Sequence, residues 1–153
     1  MKVFLQDNFL TAKECKELIK LYKACPTPGR FNTTYPMSLT IGQLPKLEEK
    51  INKIGMHLNK SVIDWFQIVK WPSPNSGKEV HQDTASDKTT LSSIIYLNDN
   101  YDGGHTFFKD GTSFAPVKGR AIFFDGNYYE HGVSSLDKND RYTVAIWMKH
   151  NEF

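Results

Sequence analysis

His81-Gln82-Asp83 sets an imidazole and a carboxylate two residues apart. On an extended strand, residues i and i+2 point to the same face, so this tripeptide can offer two ligands to one point in space. A second imidazole from a later strand, with His131 in the right part of the chain, would complete two His and one carboxylate. Three such ligands on one face of a metal leave coordination positions open. That arrangement suits non-haem Fe(II), which must bind both O₂ and a co-substrate. By itself His-x-Asp is a weak signal, and a surface turn running into Thr84-Ala85-Ser86 accounts for it more readily. His105 is a rival ligand, but it stands in a turn after Gly103-Gly104, where nothing fixes its direction. The Gly pair there permits a tight bend into the next strand.

Ten residues after His131 stands Arg141, at the head of Arg141-Tyr142-Thr143-Val144-Ala145-Ile146-Trp147. This run alternates as a strand does. Arg141, Thr143, Ala145 and Trp147 share one face, and Tyr142, Val144, Ile146 and Met148 the other. A guanidinium at the head of a half-buried strand needs a partner. Its fork matches a carboxylate at two points, which Lys cannot copy. The partner is either an Asp or Glu of the chain or a bound acid.

Two helices come before the segments that carry these residues. Thr11-Ala12-Lys13-Glu14 is a capping box, in which each side chain satisfies a backbone N–H of the other residue. Leu10 can staple onto Cys15, and Cys15, Leu18, Ile19 and Tyr22 follow at helical spacing. Pro26-Thr27-Pro28-Gly29 stops that helix. A second helix starts near Pro45, a good first-turn residue, with Leu47, Ile51, Ile54 and Leu58 as its buried stripe. From Val62 the period changes. Short runs rich in β-branched and aromatic residues at 62–71, 89–98, 105–108, 120–124 and 141–148 read as strands. Segment 31–41 adds a further strand, and Pro36 argues for an edge position. Several strands without intervening helices indicate an antiparallel sandwich or barrel.

Composition sets the outer bounds. The chain has 153 residues, 39% hydrophobic, with 10 Phe, 7 Tyr and 3 Trp, which excludes disorder over most of its length. That length fits one domain, 1–153, with helical support in 1–61 and a barrel core over about 62–150. Its 19 basic and 17 acidic residues give +2, too little to argue for nucleic acid or an anionic membrane. Two cysteines, Cys15 and Cys25, read as free thiols. The N-terminal residues lack the apolar run of a signal peptide, and no stretch reaches membrane-span length. The expectation is a cytoplasmic protein; oligomeric state is left open.

Taken in order, the motifs resemble the Fe(II)- and 2-oxoglutarate-dependent dioxygenases, most closely the prolyl 4-hydroxylase branch. They are His81-x-Asp83, Tyr96-Leu97-Asn98, Gly103-Gly104-His105-Thr106-Phe107, Lys118-Gly119-Arg120-Ala121-Ile122-Phe123-Phe124, His131-Gly132-Val133 and Arg141. Asn8-Phe9-Leu10-Thr11-Ala12-Lys13-Glu14-Cys15 also looks like the first helix of that branch. The resemblance implies an α+β, mainly β fold: a double-stranded β-helix (jelly-roll) barrel supported by two helices. It assigns His81, Asp83 and His131 to iron and Arg141 to the far carboxylate of 2-oxoglutarate. It adds the Tyr96 hydroxyl and the neighbouring Thr143 to that carboxylate, with Trp147 lining the same interior further along.

One position departs from the branch. Where it often has a Tyr, ten residues before His81, this chain has Trp71, which either narrows the pocket or turns away. The implied activity is hydroxylation of a prolyl residue in a peptide or protein, coupled to conversion of 2-oxoglutarate and O₂ to succinate and CO₂. Ascorbate would serve as an accessory reductant. Residues 26–40 and the Pro72–Gly77 loop would form a rim over the site. Hydroxylation of a free amino acid or other small molecule is the nearest alternative, and a non-catalytic metal-binding jelly roll is the alternative outside enzymes. A nucleic-acid demethylase of the same superfamily would carry Asn two residues past the anchoring Arg, where Thr143 stands.

Overall fold

A computed structural model describes residues 2–83 and 86–152. The Thr84-Ala85 part of the turn considered above lies outside the described residues. The chain begins with β1 (Phe4–Gln6), α1 (Ala12–Lys23), β2 (Tyr35–Leu39) and α2 (Pro45–Asn59). Then follow β3 (Ser61–Trp71), β4 (Lys78–His81), β5 (Thr89–Tyr96), β6 (Asp102–Gly103) and β7 (Thr106–Phe108). The last elements are β8 (Ser113–Phe114), β9 (Ala121–Phe124), β10 (His131–Val133), β11 (Leu136–Asp137) and β12 (Arg141–His150).

Both helices start where their side chains can satisfy the first backbone N–H groups. Glu14 N donates to Thr11 Oγ1 at 3.1 Å and Thr11 N donates to Glu14 Oε1 at 3.0 Å, the reciprocal box read in the sequence. Leu10 and Cys15 are buried in the same core cluster. At α2 no side chain caps from Leu44; instead the buried Glu48 carboxylate accepts from Gly42 N at 2.7 Å and Leu44 N at 2.8 Å. The stripe of α2 runs through Leu47, Ile51 and Gly55, with Ile54 partly buried. Leu58 corrects the expectation. It sits in the last turn, just before the chain reverses at Lys60 (φ 48°), and is 37% exposed.

The strands form a six-stranded sheet, β1-β9-β5-β12-β3-β2, and a four-stranded sheet, β4-β10-β7-β8, with a small β11-β6 pair. Every pairing between these strands is antiparallel. The two larger sheets make the jelly roll. Phe108 of β7 packs with Ile122 and Phe124 of β9, and Ile94 of β5 and Phe114 of β8 join them, so that cluster lies between the sheets. β2 is an edge strand, which accommodates Pro36, a residue without a backbone N–H.

The second face of the six-stranded sheet is covered by the helices. Tyr142, Val144, Ile146 and Met148 of β12 share one cluster with Leu18 and Tyr22 of α1 and Ile51 of α2. The alternation of β12 therefore turns Arg141, Thr143, Ala145 and Trp147 toward the space between the sheets. β12 pairs with β3 from Arg141↔Trp71 to His150↔Ser61, and with β5 from Thr143↔Tyr96 to Lys149↔Thr89. No described helix is long and apolar enough to cross a membrane.

Ile146 is 1% exposed on the helix-facing side. Ile146→Ala is expected to cost about 2–5 kcal/mol of unfolding free energy in denaturant titration, because the rigid sheet cannot collapse onto the void. A loss under about 1 kcal/mol would show that the helices repack freely over β12.

Candidate active site

The two histidines of the candidate metal set meet across strands. His131 opens β10 and is the register partner of His81, the last residue of β4. Their rings lie 4.5 Å apart, centroid to centroid. Asp83 lies beyond the end of β4, so a shared strand face does not aim it, contrary to the reading from spacing. Its backbone N donates to Gly126 O at 2.7 Å, and the Ser92 hydroxyl donates to its Oδ2 at 2.8 Å. Asp83 Oδ1 then stands 3.4 Å from His81 Nε2 and 3.3 Å from His131 Nε2. One ligand atom from each of the three residues lies within 4.8 Å of the others. A Cβ at Gly126 would run into both Asp83 Oδ2 and Ser92 Oγ, so only glycine permits this approach.

Both imidazoles are oriented in the same way. His81 Nδ1 is 2.9 Å from Glu79 O and His131 Nδ1 is 2.9 Å from Tyr129 O. Each Nδ1–H donates to a carbonyl two residues earlier, which leaves the Nε2 lone pair free as a ligand. Phe124 and Phe108 flank His131, with ring centroids at 4.8 and 6.0 Å. Side-chain exposure rises from 6% at His131 and 11% at Asp83 to 32% at His81, so the set opens to solvent on one side. Burial pushes the Asp83 carboxyl up. The nearby His131 and His81 and the Ser92 hydroxyl outweigh that and hold it well below the usual carboxylate range, hence ionised. Two imidazole nitrogens and one carboxylate oxygen form a donor set that fits Fe(II).

Arg141 is 1% exposed. Its Nε donates to Gly104 O at 3.0 Å. Its guanidinium carbon lies 4.9 Å from the Trp71 ring centroid and 5.5 Å from that of Tyr96. Nη2 is buried with no hydrogen-bond partner. Among the described residues no Asp or Glu forms an ion pair with Arg141. Of the two partners open from the sequence, an internal carboxylate is therefore not the one found. An orphaned, buried donor on a fork shaped for carboxylates fits a bound acid such as 2-oxoglutarate.

The remaining expected residues fall in three places. Trp71, the departure noted above, does not turn away; as the register partner of Arg141 it lays its ring over the guanidinium. Tyr96 is fully buried and its hydroxyl is hydrogen-bonded to Thr106 Oγ1, while Thr143, also buried, is the register partner of Tyr96. Trp147 is not beside Arg141. It lies six residues along β12, roughly 20 Å at strand rise, pairs in register with Ser92 and stacks on Trp65 at 3.7 Å. It therefore borders the His81–Asp83–His131 end. His105 stays outside the set, its Nδ1 3.5 Å from Ser113 Oγ.

Sequence reasoning missed Tyr101, buried against this pocket with a hydroxyl that has no partner. The signal was the Gly103-Gly104 pair, read as a hairpin device. At Gly104 (φ +66°) a Cβ would stand 2.8 Å from the Tyr101 ring and 3.1 Å from Arg141 Cδ, so the glycine also admits two large side chains. Concavity alone misdirects: the groove of about 770 Å³ lies outside the barrel, between α1 and the start of β12, lined by Cys15, Leu97 and Tyr142.

Residues 66–149, more than half of the chain, match the family described as the 2OG-Fe(II) oxygenase superfamily. Human prolyl 3-hydroxylase 1 is 24% identical over 156 residues, 95% of this chain and 20% of that protein. Prolyl 3-hydroxylase 2 of Mus musculus is 35% identical over 63 residues, 37% of this chain and 9% of that protein. The chain thus spans about a fifth of the first of these relatives and less of the second. Among solved structures, the viral collagen prolyl hydroxylase of Paramecium Bursaria Chlorella virus-1, in complex with 2OG, superposes with a TM-score of 0.79 at 20% identity, covering 99% of this chain and 97% of that one. A Pseudomonas putida prolyl-4-hydroxylase gives 0.73 at 19% identity, covering 97% and 92%. A Trichoplax adhaerens prolyl hydroxylase, solved with a hypoxia inducible factor oxygen degradation domain peptide fragment, gives 0.76 at 17% identity, covering 96% and 83%. These likenesses show the jelly-roll fold, and the family match runs from mid-β3 almost to the end of β12, through both histidines, Asp83 and Arg141: the chain belongs to the 2OG-Fe(II) oxygenase superfamily.

Proposed function

We propose that this chain is a 2-oxoglutarate-dependent prolyl hydroxylase acting on proline within a peptide. The observation that carries the reading is the orphaned Nη2 of Arg141, buried between the two sheets of the barrel that also holds a ready set of two imidazoles and a carboxylate. Family membership brings Fe(II), 2-oxoglutarate and O₂ as the reagents. His81, Asp83 and His131 would hold the iron. Glu79 O, Tyr129 O and Ser92 Oγ fix the directions of those ligands. The bound iron supplies the oxidation in which 2-oxoglutarate and O₂ give succinate and CO₂ while a substrate C–H becomes C–OH.

The rest is positioning by the chain. Arg141 takes the far carboxylate, and the Trp71 and Tyr96 rings hold the guanidinium in place through those two contacts. When Thr106 donates to Tyr96, the phenol O–H is free to donate onward to the same acid, with the Thr143 hydroxyl alongside. Phe108 and Phe124 keep water away from His131. Trp147, on Trp65, lines the barrel at the metal end.

Proline as the target rests on the prolyl hydroxylases among the matches. The carbon attacked has two readings. The motif order favours C4, whereas the human relative aligned over 95% of this chain is a prolyl 3-hydroxylase and favours C3. Incubating proline-containing peptides with protein, Fe(II), 2-oxoglutarate and ascorbate should give a one-oxygen mass gain dependent on 2-oxoglutarate. Fragmentation of the product then identifies the carbon. His81→Ala should abolish the gain; full turnover by that variant would refute the metal assignment. Hydroxylation of free proline but no peptide would move the reading to a small-molecule enzyme.

Ser92→Ala removes the hydroxyl that orients Asp83, and Fe(II) affinity should fall by roughly 10–100-fold in anaerobic titration. Unchanged affinity would mean that Asp83 is held without Ser92.

The rim divides in two. Phe31 is 62% exposed and lies under the Lys78 ammonium (5.2 Å to the centroid), at the start of the strand that ends in His81. The Pro72–Gly77 loop is instead tied down by Asn75 N to Leu136 O (2.8 Å), Leu136 N to Ser76 O (3.0 Å) and Ser73 N to Asp140 Oδ1 (2.9 Å). In hydrogen exchange, added substrate peptide should protect 26–34 and leave 72–77 unchanged. Equal protection of both would restore the two-loop rim.

A further inference from the structure

Two donors beside each other in the core have nothing to donate to. Arg141 Nη2 and the Tyr101 hydroxyl are both buried, and neither has a hydrogen-bond partner. They meet at Gly104, where the position of an added Cβ is 2.8 Å from Tyr101 Cε2 and 3.1 Å from Arg141 Cδ. Gly104 also fixes Arg141 by accepting its Nε–H at 3.0 Å. The phenol and the guanidinium are close enough to feel one another, but they make no hydrogen bond of normal geometry. Buried polar groups are almost always paired, so two orphans around one glycine mark a place for a shared acceptor. A carboxylate has two oxygens and about four lone-pair sites, enough for both donors. Burial pushes the Tyr101 phenol up, only partly countered by Arg141, so it keeps its proton and stays a donor. The neighbouring phenol, Tyr96, is already bonded to Thr106.

We propose that Tyr101 is a second anchoring residue of the co-substrate site, its hydroxyl donating to the far carboxylate of 2-oxoglutarate next to Arg141 Nη2. The inference rests on the reading of Arg141 given above and adds a residue that the motif order did not include. It makes selection of a five-carbon diacid a joint property of one charged and one neutral donor.

Tyr101→Phe isolates the hydroxyl. Anaerobic titration of the Fe(II)-loaded protein, followed by the visible band of the keto-acid chelate, gives the 2-oxo acid affinity without turnover. Wild type and Tyr101→Phe are each titrated with 2-oxoglutarate and with 2-oxopentanoate, which keeps the keto acid and lacks the far carboxylate. Tyr101→Phe should weaken 2-oxoglutarate by about tenfold, the loss of one hydrogen bond to a charged group, and leave 2-oxopentanoate unchanged. The ligand-free variant should melt at or above the wild-type temperature, since a buried unpaired hydroxyl has been removed.

Equal weakening of both acids, no weakening of either, or a variant that melts lower or fails to fold would overturn the proposal, the last by showing that the hydroxyl is structural. If the wild type itself binds no 2-oxoglutarate while Fe(II) still binds, the Arg141 reading fails first. The two failures are thus separable.

Discussion

A single buried positive charge organises this barrel. Arg141 is 1% exposed, and an ionised group at that depth is tolerated only when its charge and its N–H groups are answered. The chain answers part of the demand. Two aromatic faces take the flat sides of the guanidinium and one carbonyl takes Nε. It leaves Nη2 without an acceptor. An Asp or Glu at Tyr101 or Thr106 would have neutralised the site and closed it. Neutral donors there instead keep the pocket electropositive, which is what an anionic co-substrate requires.

β12 connects that charge to the rest of the molecule. It is bonded on both sides, to β3 and to β5, and its alternation separates two tasks. Tyr142, Val144, Ile146 and Met148 tie the strand to the helices, so Arg141 and Thr143 are held from behind by a close-packed core. The metal-ligand set is built differently. His81 and His131 end and begin short strands, and Asp83 follows the end of its strand. Ligands at strand ends can converge from different directions, and their precision comes from carbonyls and a hydroxyl: Glu79 O, Tyr129 O, Gly126 O and Ser92 Oγ.

How much of this was legible in the sequence follows from period and length. Long strands announced themselves: β3 and β5 are runs of 11 and 8 residues rich in β-branched and aromatic side chains, and β12 adds alternation of its two faces. The capping box of α1 and the first-turn Pro45 of α2 were readable because helix starts are local chemistry. β1, β6, β8, β10 and β11 have two or three residues each, too few to display any period. The candidate ligands could be picked out by type and order, but the manner of aiming Asp83 could not, since Gly126 lies 43 positions along the chain. Tyr101 was invisible for the same reason. Its sequence neighbours describe a turn, and only the tertiary approach at Gly104 brings it to Arg141.

The same geometry couples binding to stability. Each buried donor without an acceptor costs about 1–3 kcal/mol. Nη2 of Arg141 and the hydroxyl of Tyr101 therefore make the ligand-free pocket a locally unfavourable arrangement, held in place by the helix-backed sheet. On the proposed site, a dicarboxylic co-substrate would relieve that cost as it binds, so part of its affinity would come from completing the core rather than from contacts added to an already satisfied surface. Stabilisation by ligand then follows from linkage: whatever binds only the folded barrel shifts the folding equilibrium toward it. Aromatic walls strengthen the effect. Trp71 and Tyr96 lay apolar ring faces against the guanidinium, so an anion that reached Nη2 would meet it away from bulk solvent.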